Sequence, residues 1–179
     1  MSVPVRVRQR APLEKAIMDK VKRDEFFAIF LAMQKAKHAD KKYLYRAFSS
    51  LTATFNELNW RVIGITQDAL DSFKSVNFER IPTRKDENPV ERAHINKRHD
   101  WVEEAFNREW KDSEEWWNFI WENDQTVLAT ARENKRSDSL GEPLKIAYKI
   151  PEGYFVSSFI GCKYRKKVEK PLLENFSKM

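Results

Sequence analysis

Glycine is nearly missing from this chain, with 4 among 179 residues. Glycine supplies the positive-φ positions that tight turns and phosphate-cradling loops need. Its scarcity therefore argues against an all-β fold dense in turns and against a Gly-rich phosphate loop. Neither G-x-x-x-x-G-K-[ST] nor G-x-G-x-x-G occurs. Apolar residues at 41% and aromatics at 13% are enough for a folded core, and the length allows one good core or two small ones.

Apolar periodicity predicts two N-terminal helices. Over residues 13–36, Leu13, Ile17, Val21, Phe27, Phe30 and Leu31 recur at helical spacing behind Pro12. Asp40 is placed to cap a second helix, in which Leu44, Phe48, Leu51, Phe55 and Leu58 step by four and three along one face. The two are expected to pack as an antiparallel pair, with both stripes serving as core. Further on, Thr66 is a cap for a short helix from Gln67 to Val76. The Ile63-Gly64-Ile65-Thr66 corner before it has the look of a helix-turn-helix, with Gln67 and Asp68 at the start of the groove-reading helix.

Residues 81–90, IPTRKDENPV, are polar, hold two prolines and read as a linker. They divide the chain into a helical N-terminal region (1–80), a linker (81–90) and an α+β region (91–179). In the last, Glu91 to Asn96 fits a short strand. A helical insert follows with Trp101, Val102, Ala105 and Phe106, and then a D-x-x-E box, Asp112 and Glu115, before WWNFIW. The insert carries Trp101, Trp110, Trp116, Trp117 and Trp121. Such rings can stack on unpaired bases, but the helical spacing of Trp117, Ile120 and Trp121 favours core packing. Thr126 to Ala129 read as a buried strand that turns at once into the polar run from Glu133 to Asp138. Two strands over 145–150 and 154–165, joined by Pro151-Glu152-Gly153, are expected to form a C-terminal hairpin, and a helix over 166–176 interrupted by Pro171 closes the chain. The expected fold class is α+β.

Charge sorts the function classes. The formal net charge is +6, concentrated in an N-terminal arm (Arg6, Arg8, Arg10) and in a cluster from Lys163 to Lys167 that includes Arg165. Such surface attracts a polyanion, chiefly by releasing its counterions. The lone cysteine, Cys162, excludes an internal disulfide and a Cys-rich zinc site, so a reducing, cytoplasmic setting is the expectation. No apolar run approaches the roughly 18 residues that span a bilayer, and MSVPVRVRQRAP lacks the apolar segment of a secretory signal.

The segments 91-ERAHIN-96 and 123-NDQTVLATARENKRSD-138 together give a strand ending at His94, an insert, a second strand through Val127 and Leu128, and a helix bearing Asn134. This order resembles the ββα-metal core of HNH nucleases, most closely the HNH domain of RNA-guided DNA-cutting effectors. There a strand of V-L-T type runs into a helix that ends in Asn, followed closely by Lys-Ser-Asp. Here the matching residues are Val127-Leu128-Ala129-Thr130, Asn134, Lys135, Ser137 and Asp138. The resemblance spans residues 91–138 and leaves the N-terminal helices without a role beyond DNA contact or dimerisation.

The resemblance implies a DNA endonuclease using Mg²⁺ or Mn²⁺, with His94 as general base and Asn134 as a metal ligand. Gln125 takes the position of the residue that braces the loop around the catalytic histidine, and Asn123, two residues away, is a substitute for it. Lys135 and Arg136, with Lys97 and Arg98, would contact phosphate, and Lys163 and Arg165 would add to the nucleic-acid surface. The family places an acidic ligand or a second histidine just before the catalytic His, where this chain has Ala93. Glu91, on the same side of the strand as Ala93, is the nearest replacement, with His99, Asp100 and Asp138 as others. The partner implied is DNA, with a homodimer as one route to cutting both strands. Two other classes compete: a non-catalytic nucleic-acid-binding protein using the basic clusters and the helix-turn-helix, and a protein-interaction module built on the tryptophan-rich insert.

Overall fold

The computed structural model describes residues 20–36, 38–55, 61–158 and 161–179. The basic arm (Arg6, Arg8, Arg10) and the helix positions Leu13, Ile17 and Leu58 lie outside them. In chain order the described elements begin with α1 (Lys20–Gln34), α2 (Lys41–Phe55), β1 (Arg61–Ile65), α3 (Gln67–Ser75), β2 (Val90–His94) and α4 (Arg98–Asn107). There follow α5 (Ser113–Asn123), β3 (Gln125–Thr130), α6 (Ala131–Leu140), β4 (Tyr148–Lys149), β5 (Ser157–Ser158), β6 (Gly161–Cys162) and α7 (Lys166–Phe176). The fold is α+β with N-terminal helices.

Aromatic side chains make one core between the N-terminal helices and the insert. Trp116 of α5 is fully buried, with ring centroids of Phe26, Phe27 and Phe30 at 4.8, 5.3 and 5.2 Å and Phe48 at 6.2 Å. Trp101, Val102, Ala105, Trp117, Ile120 and Trp121 are buried around it. Trp117 and Trp121 are therefore core, as their spacing predicts, with Trp101 and Trp116 beside them, while half-buried Trp110 packs against the cluster. Asp40 Oδ1 accepts from the Lys42 N–H at 2.8 Å at the start of α2. Asp112 accepts from the N–H groups of Glu114 and Glu115 at the start of α5, while Glu115 returns its carboxylate to Lys111 N rather than to Asp112 N. Val21, expected on the buried stripe of α1, is 63% exposed. Five residues before Phe26 places it about 140° round the helix from that buried ring.

The sheet has the order β2-β3-β1-β4, with β1 parallel to β3 and both outer strands antiparallel to their neighbours. A second core packs Val62, Ile65, Val90 and Leu128 of the sheet with Leu70 and Phe73 of α3, Leu173 of α7 and Phe155. Residues 61–65 are thus a strand, not the first limb of a helix-turn-helix. Apolar Val62, Gly64 and Ile65 are buried, and a Cβ on Gly64 would sit 2.6 Å from Ile146 Cγ2. Thr66 does cap α3, accepting from Ala69 N. Because β1 pairs with β3, the sheet runs across the expected division at 81–90. That segment is tied on every side: Val90 N donates to Pro82 O, Ala131 N to Pro89 O, and Ser72 Oγ to Asn88 O. Asp86 accepts from both Arg80 Nη atoms and from Thr83 N.

The C-terminal strands pair differently from expectation. Within 145–150, β4 joins β1, while β5 and β6 form their own two-stranded hairpin, so among the described residues no ladder spans Pro151-Glu152-Gly153. What fixes this region is a fully buried carboxylate. Glu169 accepts from Phe155 N (3.1 Å), Arg165 N (2.6 Å), and Arg165 Nε and Nη2 (3.0 and 2.6 Å). It thereby fastens α7 to the chain preceding β5. Among the described residues no helix is long and apolar enough to cross a membrane.

Truncating Glu169 to alanine leaves Arg165 and two main-chain donors without their buried acceptor. Urea denaturation should show a loss of about 3–5 kcal/mol, and a loss under about 1 kcal/mol would mean that the charge cluster is not what holds α7. Arg80 and then Thr83 hold the Asp86 carboxyl well below its ordinary value of 3.8. A depressed folded value stabilises above the unfolded value, and the contribution is lost as pH falls through the folded one. Asp86→Asn should therefore be less stable than the parent near neutral pH, and the gap should begin to narrow only below about pH 4, shrinking further as pH falls toward the depressed folded value. A gap that stays constant well below about pH 4 would refute the clamp.

Candidate active site

Strand β2, strand β3 and helix α6 follow one another in ββα order, with the α4–α5 insert between the strands. The antiparallel register is regular: Val90 faces Thr130, Glu91 Ala129, Arg92 Leu128, Ala93 Val127 and His94 Thr126. Strand side chains alternate between faces. Glu91 and Ala93 therefore lie on one face of the pair, and Val90, Arg92 and His94 on the other.

Helix α6 starts where β3 stops, at a reciprocal cap. Thr130 Oγ1 accepts from Glu133 N, and Glu133 Oε2 accepts from Thr130 N at 2.8 Å. The same carboxylate oxygen accepts from Thr66 Oγ1 at 2.9 Å, so one negative charge sits at the N-termini of both α3 and α6. This fixes the first turn of α6, and Asn134, its fourth residue, meets β2. Asn134 Nδ2 donates to Glu91 Oε2 at 3.2 Å, both side chains being half-buried. Asn134 does not end its helix. The helix continues to Leu140, where Gly141 at φ 69° closes it in the left-handed conformation.

The two residues expected to hold a cation are thus in direct contact, and a cation between them would replace that hydrogen bond. A carboxylate and a carboxamide offer two hard oxygens, with the Asn134 amide turned to present Oδ1. That is a donor set Mg²⁺ or Mn²⁺ accepts when phosphate and water complete the shell. Among the described residues no three His, Cys, Asp or Glu side chains converge. Ala93 is buried at 1% exposure beneath this face. Asp138 lies further along α6, where its carbonyl receives Lys97 Nζ at 3.5 Å, and His99 pairs with Asp100 and Glu103 on α4.

His94 stands apart from that pair. It follows Glu91 by three strand steps, about 10 Å, and points to the other face. Its Nε2 lies 3.5 Å from Asp124 Oδ1, and its side chain keeps 18% of its exposure. Arg61, Arg92 and Arg98 each feel the charge of the same acid. Burial lowers each guanidinium, and the Asp124 charge partly restores it. Arg98, expected on phosphate, is therefore half-buried at this cluster. Gln125 braces the segment after His94 through its main chain, its carbonyl accepting from Ile95 N at 3.1 Å. Its side chain, next to Thr126 in β3, lies on the face away from His94. The side-chain brace comes from Asn123, whose Oδ1 accepts from Asn96 Nδ2 at 3.0 Å.

The remaining cations divide by commitment. Lys97, Lys135 and Lys163 are exposed, and Arg136 is exposed but paired with Glu142 at 3.2 Å. Arg165 belongs to the Glu169 cluster and to Gly153 O. Sequence reasoning missed Asp124 and Glu133. Glu133 had a legible signal, the T-x-x-E spacing from Thr130, whereas nothing local marks Asp124. Compared with family models, with curated proteins and with solved structures, the chain finds no match.

Glu133→Ala removes the acceptor shared by two threonine hydroxyls and one main-chain donor. Loss of a helix cap costs about 0.5–2 kcal/mol, so thermal melting should fall by a few degrees and the α6 amides should exchange faster with solvent. Unchanged amide protection in α6 would show that Asn134 is positioned by something else.

Proposed function

We propose that this chain is a metal-dependent DNA endonuclease that hydrolyses phosphodiester bonds, with the β2–β3–α6 unit as its catalytic part. The observation that carries this reading is the contact of Glu91 with Asn134 across a strand and a helix N-terminal turn. Those two side chains would hold Mg²⁺ or Mn²⁺, which when bound stabilises negative charge on the scissile phosphate and on the leaving 3′ oxygen. His94, at the end of the same strand, takes a proton from the attacking water, a task suited to an imidazole near neutral pH. Strand β2 is the outermost of its sheet, so both polar pairs lie at one sheet edge. Exposed Lys97, Lys135 and Lys163 favour the polyanion through counterion release. One such unit cuts one strand, and a double-strand break needs a second copy or a second nick.

A specific observation favours a second reading, that of a non-catalytic nucleic-acid-binding protein. His94 and Asn134 belong to opposite faces of the strand pair, and Ala93 supplies no ligand. Supercoiled plasmid incubated with the parent protein, His94→Ala and Asn134→Ala separates the two. With Mg²⁺ or Mn²⁺ the parent should nick, a chelator should stop it, and each variant should lose about 10²-fold or more of the rate. A protein that retards DNA equally in all three forms and cuts none is a binder.

A further inference from the structure

Asp124 is the residue best placed to act on His94, and its position is fixed from two sides. Its own N–H donates to Ile120 O at 2.8 Å, closing α5, and the next residue begins β3. Just before it, Asn123 is tied to Phe119 O and to Asn96. His94 is in turn held in register opposite Thr126. The carboxylate is 6% exposed and stands 3.5 Å from Nε2, within ion-pair reach and just beyond an aligned hydrogen bond. Such pairs commonly tighten when substrate binds. A buried carboxylate costs free energy unless it is compensated. Arg61, Arg92 and Arg98 feel the charge of Asp124 and supply part of that compensation.

We propose that Asp124 is the positioning residue of His94: it accepts the Nε2 proton and so leaves the Nδ1 lone pair to act as base. This rests on the endonuclease reading. In the step so assisted, water loses a proton to Nδ1 while its oxygen bonds to phosphorus. The bond from phosphorus to the 3′ oxygen breaks, and solvent protonates the leaving oxygen. The imidazolium that results faces the Asp124 carboxylate until it returns its proton to water. The Gln125 side chain, on the other face, takes no part.

Asp124→Asn keeps the shape but can turn its amide N–H toward Nε2 and fix the ring in the other tautomer. Ring-nitrogen NMR of the parent should put the neutral proton of His94 on Nε2, as a slowly exchanging resonance. In the Asn variant it should move to Nδ1. Nicking kcat should then fall about 10²- to 10⁴-fold, while DNA retardation stays unchanged. A parent ring protonated at Nδ1, or an Asn variant that nicks at the parent rate, overturns the proposal. So does a loss of nicking with the proton still on Nε2. If the variant does not fold, the parent spectrum decides, because the absence of the slow Nε2 proton is disproof enough. A parent that nicks nothing sinks the endonuclease reading alone, since the ring spectrum still reports whether Asp124 holds the imidazole.

Discussion

Strand β3 is buried from Thr126 to Thr130 and paired along both edges, antiparallel to β2 and parallel to β1. A strand so enclosed has no solvent face, which is why Thr-Val-Leu-Ala reads as a continuous run rather than an alternation. Fully burying a valine or leucine contributes about 1.5–3 kcal/mol, and Val127 and Leu128 are both fully buried. The strand also begins where α5 ends and ends where α6 begins. Whatever fixes β3 therefore fixes Asp124 at one end and Thr130, Glu133 and Asn134 at the other.

The two cores are joined through α5, which leads directly into β3. The aromatic core reaches β3 through α5, and Arg61 of the neighbouring strand fastens the junction. Its guanidinium lies 3.6 Å over the Trp121 ring, donates to Trp121 O at 2.6 Å, and pairs with Glu152 at 3.2 Å. A half-buried arginine is tolerated here because a ring face, a carbonyl and a carboxylate replace much of its lost hydration. The tryptophan-rich insert thus serves the site indirectly. Packed on α1 and α2, it holds the end of α5, and with it Asp124, against β2.

The chemistry is split by the pleat. A period of two sends Glu91 toward Asn134 and His94 toward Asp124, so the ββα unit carries one polar pair on each face of the same edge strand. Hydrogen bonding and charge, not proximity in sequence, decide these pairs: Glu91 meets a residue 43 positions away. Arg92 and Arg98 feel the Asp124 charge, and the exposed lysines lie outside both pairs.

The sequence by itself determined the elements whose cause is local. Helical spacing at Phe30 and Phe48, caps at Asp40, Thr66 and Asp112, and the buried strand at Thr126 to Ala129 each arise from side chains acting within a few residues of themselves. Much of the ββα order was legible for the same reason. Only the tertiary structure decided that Ile63-Gly64-Ile65 is a strand and not a helical corner, because that outcome comes from pairing with β3 and from Ile146 lying against Gly64. It decided likewise that β4 joins β1 and that Arg98 and Arg165 turn inward to Asp124 and Glu169. It also set His94 beside Asp124 rather than Asn134. Each of these depends on a partner far along the chain, and local propensity carries no information about which partner will be there.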